Sequence, residues 1–270
     1  MMRFAQDLRH GIRAGLRTPL VTTLAILAFA LGIGVTTTVF SIFYGVLLKP
    51  LPYPNPHELV RVFDTQPACA TCPASYPKYM DWKTRNQVFS AIGGSTPNGF
   101  VLSGSGDPVQ VPGMATTASL LDVFGVQPAI GRWYSEEEDQ PNGRKVAVLS
   151  HRFWVRQFAE DPGVLGRALT LNGTPYEVIG IMPEHFDHRN ADIFVPLQRT
   201  LDPATRGSHF MPTYARLKPG VTLDRAVTNV ESVLGDVRRC DGRWNYLLSD
   251  EPRIGYVRIR MFGDKTAAEL

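Results

Sequence analysis

The sequence predicts an α+β protein with one N-terminal transmembrane helix and a mixed region of strands and helices outside the membrane. Three observations predict this class. The stretch from Thr18 to Leu48 contains no Asp, Glu, Lys or Arg. Short segments with strand or helix periodicity follow it, without the regular alternation of a doubly wound sheet. Arginines cluster before the apolar stretch, whereas only Lys49 follows it directly, and this places the later residues outside the cytoplasm.

The uncharged stretch is long enough to cross a bilayer, because a helix needs about 20 residues to span the hydrocarbon core. A buried core helix seldom stays uncharged for so long. The apolar region of a signal peptide runs for about 7 to 15 residues before a small-residue cleavage site, and no convincing Ala-x-Ala site precedes Lys49. We therefore predict a transmembrane helix over 18–48, with a core helix and a cleavable signal peptide as the alternatives.

The flanks of the span predict its orientation. The arginines before the span are Arg3, Arg9, Arg13 and Arg17. Positive charges next to a span are retained in the cytoplasm, so we expect a cytoplasmic N-terminus and an extracytoplasmic bulk. Apolar residues recur every four positions in residues 1–17, which predicts a cytoplasmic amphipathic helix at the interface, with a disordered basic tail as the alternative. Residues 49–58 are rich in proline and predict a stiff, extended exit from the membrane.

Small residues lie four positions apart within the span, at Ala28, Gly32 and Thr36. Residues at this spacing share one face of a helix, and small side chains on that face let a second helix approach closely. We therefore expect this face to pack on another membrane helix.

The length and composition of the chain limit the number of domains and the kind of partner that it can bind. The chain has 270 residues, 44% hydrophobic and 20% charged, with a formal net charge of +3. This length allows an anchor and one large or two small domains. The weak net charge, without clustered Lys and Arg among aromatic residues, gives no indication of a nucleic-acid surface.

The cysteines are Cys69, Cys72 and Cys240. The first two lie in a loop-like, Pro-rich stretch, where an oxidising compartment favours a local disulfide. A zinc site would need two further ligands at a suitable spacing, which the sequence lacks. We expect a Cys69–Cys72 disulfide before free thiols, and free thiols before a metal, with Cys240 left over.

Strand and helix patterns follow the exit in a mixed order. Short apolar and β-branched runs between turn formers predict strands at Leu59–Thr65, Phe100–Ser103, Val109–Ala115, Val146–Leu149, Ala168–Leu171, Tyr176–Ile181, Ile193–Val195, Tyr214–Leu217 and Tyr256–Met261. Helical spacing predicts helices at Tyr76–Ile92, at Leu120–Phe124, after Ser150 and at Thr222–Arg239. Asn172-Gly173 predicts a tight hairpin, and Ser75 is placed to cap the first of these helices.

The sequence lacks the patterns of common catalytic sites. It has no Gly-x-x-x-x-Gly-Lys-Ser/Thr phosphate loop, so any ATP must be hydrolysed by another chain. Gly104-Ser-Gly lacks the Gly-x-Ser-x-Gly of a nucleophile elbow and is typical of a hairpin turn. We assign no catalytic residue, cofactor or metal, and predict that the protein is not an enzyme.

Two polar clusters resemble ligand sites at first sight. One contains His185, Asp187, His188 and Asp192. A metal would need a further well-placed ligand on rigid backbone, so we expect a solvated loop between two strands. The other is the acidic run Glu136 to Asp139, which predicts a solvated helix start without a calcium role.

Several phrases of the sequence occur together in a known family and in the same order. They include Arg13-Ala-Gly-Leu-Arg, Lys49-Pro-Leu-Pro-Tyr-Pro, Ser75-Tyr-Pro-Lys-Tyr-Met-Asp-Trp, Val126-Gln-Pro-Ala-Ile-Gly-Arg, Gly180-Ile-Met-Pro-Glu-His-Phe and Arg216-Leu-Lys-Pro-Gly-Val. With them the chain resembles the MacB-like permeases of ABC transporters, specifically the duplicated orphan permeases with a MacB-like periplasmic core domain and an FtsX-like permease domain. The resemblance covers most of residues 1 to about 235.

The resemblance implies a two-lobed periplasmic core over 59–262, followed by a tail over 263–270. One lobe would be a βαβ-type lobe like the porter modules of efflux adaptors, and an α+β lobe would be inserted into it over about 116–210. Family members continue into three further membrane helices, so we expect this chain to be truncated relative to the family.

The resemblance also implies the partners: the lipid bilayer of the bacterial inner membrane, an ABC ATPase subunit, and other permease helices or a homodimer mate. Two functions follow from the sequence. The first is a non-enzymatic component of an ABC-type export or mechanotransmission system. The second is a single-span anchored protein that binds a substrate or partner without transport. An anchored hydrolase ranks third, because no catalytic constellation is present.

Overall fold

The apolar stretch forms helix α1, Pro19–Phe43, in the computed structural model, which describes residues 19–43, 53–66, 69–104, 107–241 and 256–261. Within these ranges, α1 is the one helix that is long and apolar enough to cross a membrane. Ala28, Gly32 and Thr36 are all exposed along it. The predictions for 1–17, for 263–270 and for the last residues of the span, 44–48, lie outside the described residues, as does the side chain of Cys240.

The chain divides into two units, residues 1–50 and 51–270, and the second unit carries the sheet. Its strands are β1 (Leu59–Gln66), β2 (Cys69–Cys72), β3 (Phe89–Ser103), β4 (Val109–Thr116), β5 (Ile130–Gly131), β6 (Val146–Leu149), β7 (Ala168–Leu171), β8 (Thr174–Ile181), β9 (Ile193–Pro196), β10 (Thr213–Leu217) and β11 (Tyr256–Met261). Its α-helices are α2 (Tyr76–Arg85), α3 (Leu120–Phe124), α4 (His151–Phe158) and α5 (Leu223–Asp241).

The first lobe is built on four antiparallel strands in the order β11-β1-β10-β3. β1, α2 and β3 form one split βαβ unit, in which β10 lies between the two parallel strands. β10, α5 and β11 form a second unit of the same kind, interleaved with the first. This is the ferredoxin-like arrangement. It confirms the predicted mixed α+β class and its βαβ-type lobe.

The inserted lobe grows out of the hairpin that joins β3 to β10 in a simple ferredoxin-like fold. The first part of β3 pairs with β10 up to Gly94, and from Ser95 onward β3 pairs with β4. The sheet continues through β9, β6, β8 and β5, and β7 pairs with both β3 and β8. The change of pairing partner therefore lies at Ser95, inside a strand, whereas the expected limit of the insert was about residue 116.

The predicted helix over Tyr76–Ile92 is too long, because α2 ends at Arg85 and β3 begins at Phe89. Asn86 ends the helix with its side chain: its Nδ2 donates to the Trp82 carbonyl at 2.7 Å and its Oδ1 accepts from the Phe89 amide at 2.9 Å. Phe89 continues the helical spacing but pairs with Leu217 of β10 instead.

Caps and turns account for several boundaries that the sequence predicted. Ser150 caps α4 by accepting from the Phe153 amide at 3.2 Å. Asn172-Gly173 joins β7 to β8, with Leu171 paired to Thr174. Ser75 holds the N-cap position of α2, but its side chain makes no capping hydrogen bond. The Cys69–Cys72 stretch is the strand β2 rather than a loop.

Among the described residues of the second unit, three buried clusters form the core. One lies between the first-lobe sheet and its helices, with Tyr79 and Trp82 of α2 at its centre. Another lies inside the inserted lobe around Phe153 of α4. The third joins the lobes, because Tyr214 of β10 and Phe124 of α3 belong to the same cluster.

Candidate functional site

A layer of buried polar side chains crosses the sheet where the first lobe meets the insert. Its members are at most 9% exposed: Ser95, Thr116, Thr117, Ser119, His188 and Thr213. We call this layer the seam. Burying a hydroxyl or imidazole is costly unless it is hydrogen-bonded, so the partners of these groups define what the seam does.

The seam ties the start of α3 to β3. The Thr117 amide donates to the Gly94 carbonyl at 2.9 Å, and Thr117 Oγ1 accepts from the Gly94 amide at 3.0 Å. Ser119 Oγ donates to the Ile92 carbonyl at 2.7 Å. A Cβ atom on Gly93 would lie 2.7 Å from Leu120 Cα, so α3 lies directly on the first-lobe sheet, at a distance that only glycine permits.

His188 lies in the seam between rings from both lobes. Its ring centroid is 5.4 Å from those of Phe124 and Tyr214 and 6.3 Å from that of Phe186. Its Nε2 atom lies 3.1 Å from Ser95 Oγ. Burial, with a smaller effect from the charge of Arg189, lowers the pKa of His188 to about 3. The ring is therefore neutral at pH 7, and it acts as a hydrogen-bonding element of an aromatic core.

Tyr134 and Trp133 of the insert hydrogen-bond to the segment Thr116–Ala118, which carries two residues of the seam. The Tyr134 hydroxyl hydrogen-bonds to Thr116 Oγ1 and donates toward the Thr116 and Val195 carbonyls, each at 3.3 Å. Burial raises the pKa of Tyr134, which keeps this hydroxyl protonated as a donor. Trp133 Nε1 donates to the Ala118 carbonyl at 2.9 Å.

The acidic run at 136–139 forms a turn rather than the expected helix start, and Glu136 and Glu137 are exposed as expected, whereas Glu138 and Asp139 are not. Asp139 accepts from the Ala118 amide at 3.0 Å and from the Gln198 amide at 3.0 Å. Burial raises the pKa of Asp139 despite these bonds. Glu138 is 9% exposed and pairs with Arg132 at 2.7 Å, and the bonds from Arg132 lower the pKa of Glu138. Both carboxylates thus hold loops of the insert together.

The residues from His185 to Asp192 do not form a single solvated loop, so this expectation is wrong. His188 points into the seam, and Asp192 is 2% exposed. The Asp192 carboxylate accepts from Arg152 at 2.9 Å and from Arg156 at 2.5 Å, both on α4. No group of three or more His, Cys, Asp or Glu side chains suited to a metal occurs in the described ranges.

The predicted cysteine pair lies in β2, at the edge of the first lobe, and neither cysteine belongs to the seam. The structure joins Cys69 to Cys72, with their Cα atoms 5.6 Å apart, a separation typical of disulfides. β2 pairs with the end of β1, with Cys72 opposite Asp64. Whether the bond forms in the protein stays a prediction.

The hydrogen bonds of the seam hold α3 and the first-lobe sheet in one arrangement. A fully hydrogen-bonded network in a low-dielectric interior favours one arrangement of the parts that it joins. Sequence reasoning missed it, because single Ser and Thr residues in apolar strands carry no pattern of their own.

Comparison with known proteins identifies the family. The MacB-like periplasmic core domain family matches residues 22–233 of the chain. The chain belongs to this family. The match begins inside α1 and includes every residue of the seam. No curated protein matches the chain.

Solved structures of similar fold come from domains of transporter proteins. The extracellular domain of the noncanonic ABC-type transporter YknZ from Gram-positive bacteria matches with a TM-score of 0.51 and 12% identity, covering 67% of this chain and 95% of that one. The periplasmic region of MacB from Actinobacillus actinomycetemcomitans matches with a TM-score of 0.53 and 15% identity, covering 76% and 88%. A domain of a protein described as a permease, from Porphyromonas gingivalis, matches with a TM-score of 0.53 and 15% identity, covering 78% and 93%.

These likenesses establish the fold. The family match over residues 22–233 confirms the family resemblance, and α1 is the predicted N-terminal apolar helix before the MacB-like periplasmic domain. The family model describes a periplasmic core domain, and the similar solved structures are domains of an ABC-type transporter, of MacB and of a protein described as a permease.

Proposed function

We propose that the chain is a non-enzymatic membrane component of an ABC-type export or mechanotransmission system. The observation that carries this proposal is the family match over residues 22–233, which includes most of α1 and most of the core. In this proposal α1 anchors the chain in the bacterial inner membrane with its N-terminus in the cytoplasm. The core, over residues 59–262, then lies in the periplasm, and its inserted lobe starts inside β3.

The seam supports a role in transmitting movement. β3 runs without interruption from one lobe into the other, and buried hydrogen bonds hold α3 on the first-lobe sheet. Two lobes joined in this way respond to a displacement as one body, because buried polar groups lose their partners if the lobes separate.

The proposal requires partners. The sequence has no phosphate loop, so a separate ABC ATPase subunit must supply the energy. One helix such as α1 cannot line a pathway for polar cargo, and in this proposal other permease helices or a homodimer mate complete the membrane part. We propose that Ala28, Gly32 and Thr36 form the face of α1 that packs on such a helix.

The second candidate is an anchored extracytoplasmic binding protein without transport activity. ATP turnover separates the two when the full chain is reconstituted in liposomes with candidate ABC ATPase subunits. Stimulation of an ATPase supports the permease component, whereas unchanged turnover with every candidate supports the anchored binding protein. Turnover by the chain alone would refute both. A periplasm-dependent reporter fused after Leu270 should be active, and activity of a cytoplasm-dependent reporter there would overturn the orientation.

A further inference from the structure

The segment Tyr53–Glu58, which we call the exit segment, is the first described part of the second unit and leads directly into β1. Pro54 and Pro56 restrict its backbone on both sides of Asn55, which adopts a left-handed conformation with φ 47°. The Glu58 amide donates to the Asn55 carbonyl at 2.9 Å and closes a single 3-10 turn. Because few of its backbone angles can rotate, the exit segment moves as a rigid piece and transmits a displacement to the residues that bind it.

Arg216 of β10 holds the exit segment and the insert with the same guanidinium group. Its Nη1 atom donates to the Pro54 carbonyl at 2.9 Å and to Glu58 Oε2 at 3.1 Å. Its Nε atom donates to the Val123 carbonyl in α3 at 2.8 Å. The Arg216 side chain is only 12% exposed. A rigid, planar and permanently charged fork suits such a three-way junction, because its donors keep fixed relative directions.

Packing around Arg216 reinforces the same connection. The Tyr53 ring lies 5.0 Å from the ring of Phe124 in α3. Burial is the main cause that raises the pKa of Tyr53 to about 12, so this ring stays neutral. α3 ends at Phe124 and is followed by Gly125, whose φ is +66°; a Cβ atom on Gly125 would lie 3.3 Å from Arg216 Nη2 and 3.4 Å from Pro54 Cγ. The end of α3, the exit segment and Arg216 thus meet at close contact.

We propose that Arg216 is the positioning residue that couples the exit segment to both lobes of the core. A displacement of the exit segment reaches the first lobe through β10 and the insert through the C-terminal end of α3. The coupling itself is a property of this chain alone, and only its use in a moving transporter rests on the proposed function.

A double-mutant cycle in the full chain, purified in detergent, tests the coupling. The readout is hydrogen exchange of the Gly125 and Val126 amides, which both donate to the Leu121 carbonyl, at 2.8 and 3.3 Å. Glu58→Ala removes a partner of Arg216 on the exit side. In the contacts described above, the Glu58 side chain is connected to α3 through Arg216.

Arg216→Met should speed exchange of these two amides about tenfold, as expected for the loss of a charge-assisted hydrogen bond at a helix end. Glu58→Ala should speed the same amides about threefold in the parent chain. In the Arg216→Met background it should have no further effect. This non-additivity is the sign of coupling through Arg216.

Two further variants complete the design. Arg206→Met is the matched control, because Arg206 forms a similar partly buried pair, with Asp81 at 2.7 Å, away from the exit segment. It should leave the Gly125 and Val126 amides unchanged. Arg216→Lys keeps the charge without the fork and should give intermediate exchange, so it replaces Arg216→Met in the cycle if that variant fails to fold.

Unchanged exchange of these amides in Glu58→Ala, while an Arg216 variant alters them, would overturn the coupling, because Arg216 would then only cap α3. Equal effects of Glu58→Ala in both backgrounds would overturn it as well. No ATPase is present in this experiment. A non-additive cycle combined with unchanged ATP turnover in the liposome assay would therefore sustain the coupling and reject the proposed function.

Discussion

Acidification should destabilise the core through His188 before it affects most carboxylates. The folded pKa of His188 is about 3, whereas the pKa of histidine in an unfolded chain is 6.5. Between pH 6.5 and pH 3, His188 is therefore protonated in the unfolded chain and neutral in the folded core. The His188 contribution to stability is complete above pH 6.5 and is lost as the pH falls toward 3.

The size of the effect follows from the distance between the two pKa values. Each pH unit in this window costs about 1.4 kcal/mol, so the core should lose about 1.4 kcal/mol at pH 5.5 and about 2.7 kcal/mol at pH 4.5. This is a large share of the 5 to 15 kcal/mol that is typical of a folded domain, on the order of a fifth or more.

Urea unfolding of the full chain in detergent, followed between pH 7.5 and 4.5, measures this loss. His188→Phe should remove this His188 contribution from the pH dependence of the free energy of unfolding, because phenylalanine keeps the aromatic packing and cannot titrate. His185→Gln, at an exposed position of the same segment, is the control and should keep the parent slope. An equal slope in the parent and in His188→Phe would refute the burial of a neutral imidazole in the seam.

Three other changes test separate parts of the structure. Gly93→Ala should destabilise the core by about 1 to 3 kcal/mol in the same unfolding assay, because its Cβ would lie 2.7 Å from Leu120 Cα. Gly99→Ala, on the same strand with open space around it, is the control, and equal losses would contradict the close approach of α3. Cys69 and Cys72 should resist thiol labelling until the protein is reduced, and two freely reactive thiols in oxidised protein would exclude the disulfide. Gly32→Leu should reduce cross-linking between membrane helices in native membranes if the small-residue face packs on a partner, whereas an undiminished yield would place the contact elsewhere.

Local sequence features, such as an uncharged run, a helix cap or a turn dipeptide, predicted most of the helices and strands. The uncharged run predicted α1, and the cap at Ser150 and the Asn172-Gly173 turn marked the limits of α4 and of the β7–β8 hairpin. These features act within a few residues, so their effect is visible in one stretch of sequence. The order of phrases along the chain also predicted the family, which the match over 22–233 confirms.

Only the tertiary structure decided what joins these elements. Phe89 continues the helical spacing of α2, but it pairs with Leu217 of β10 as a strand residue instead. Asp139, His188 and Asp192 look like residues of polar loops in the sequence, and each is instead held by groups far along the chain.

Arg216 shows the physical reason most clearly. In the sequence it is one arginine in a strand, yet its partners Pro54, Glu58 and Val123 lie about 90 to 160 residues away. A buried polar group must find partners wherever the fold brings them, and the free energy of that pairing depends on distance in space. The sequence alone determined the anchor, the class of fold and the family, whereas the seam and the junction at Arg216 exist only once the sheet has brought remote residues within hydrogen-bonding distance.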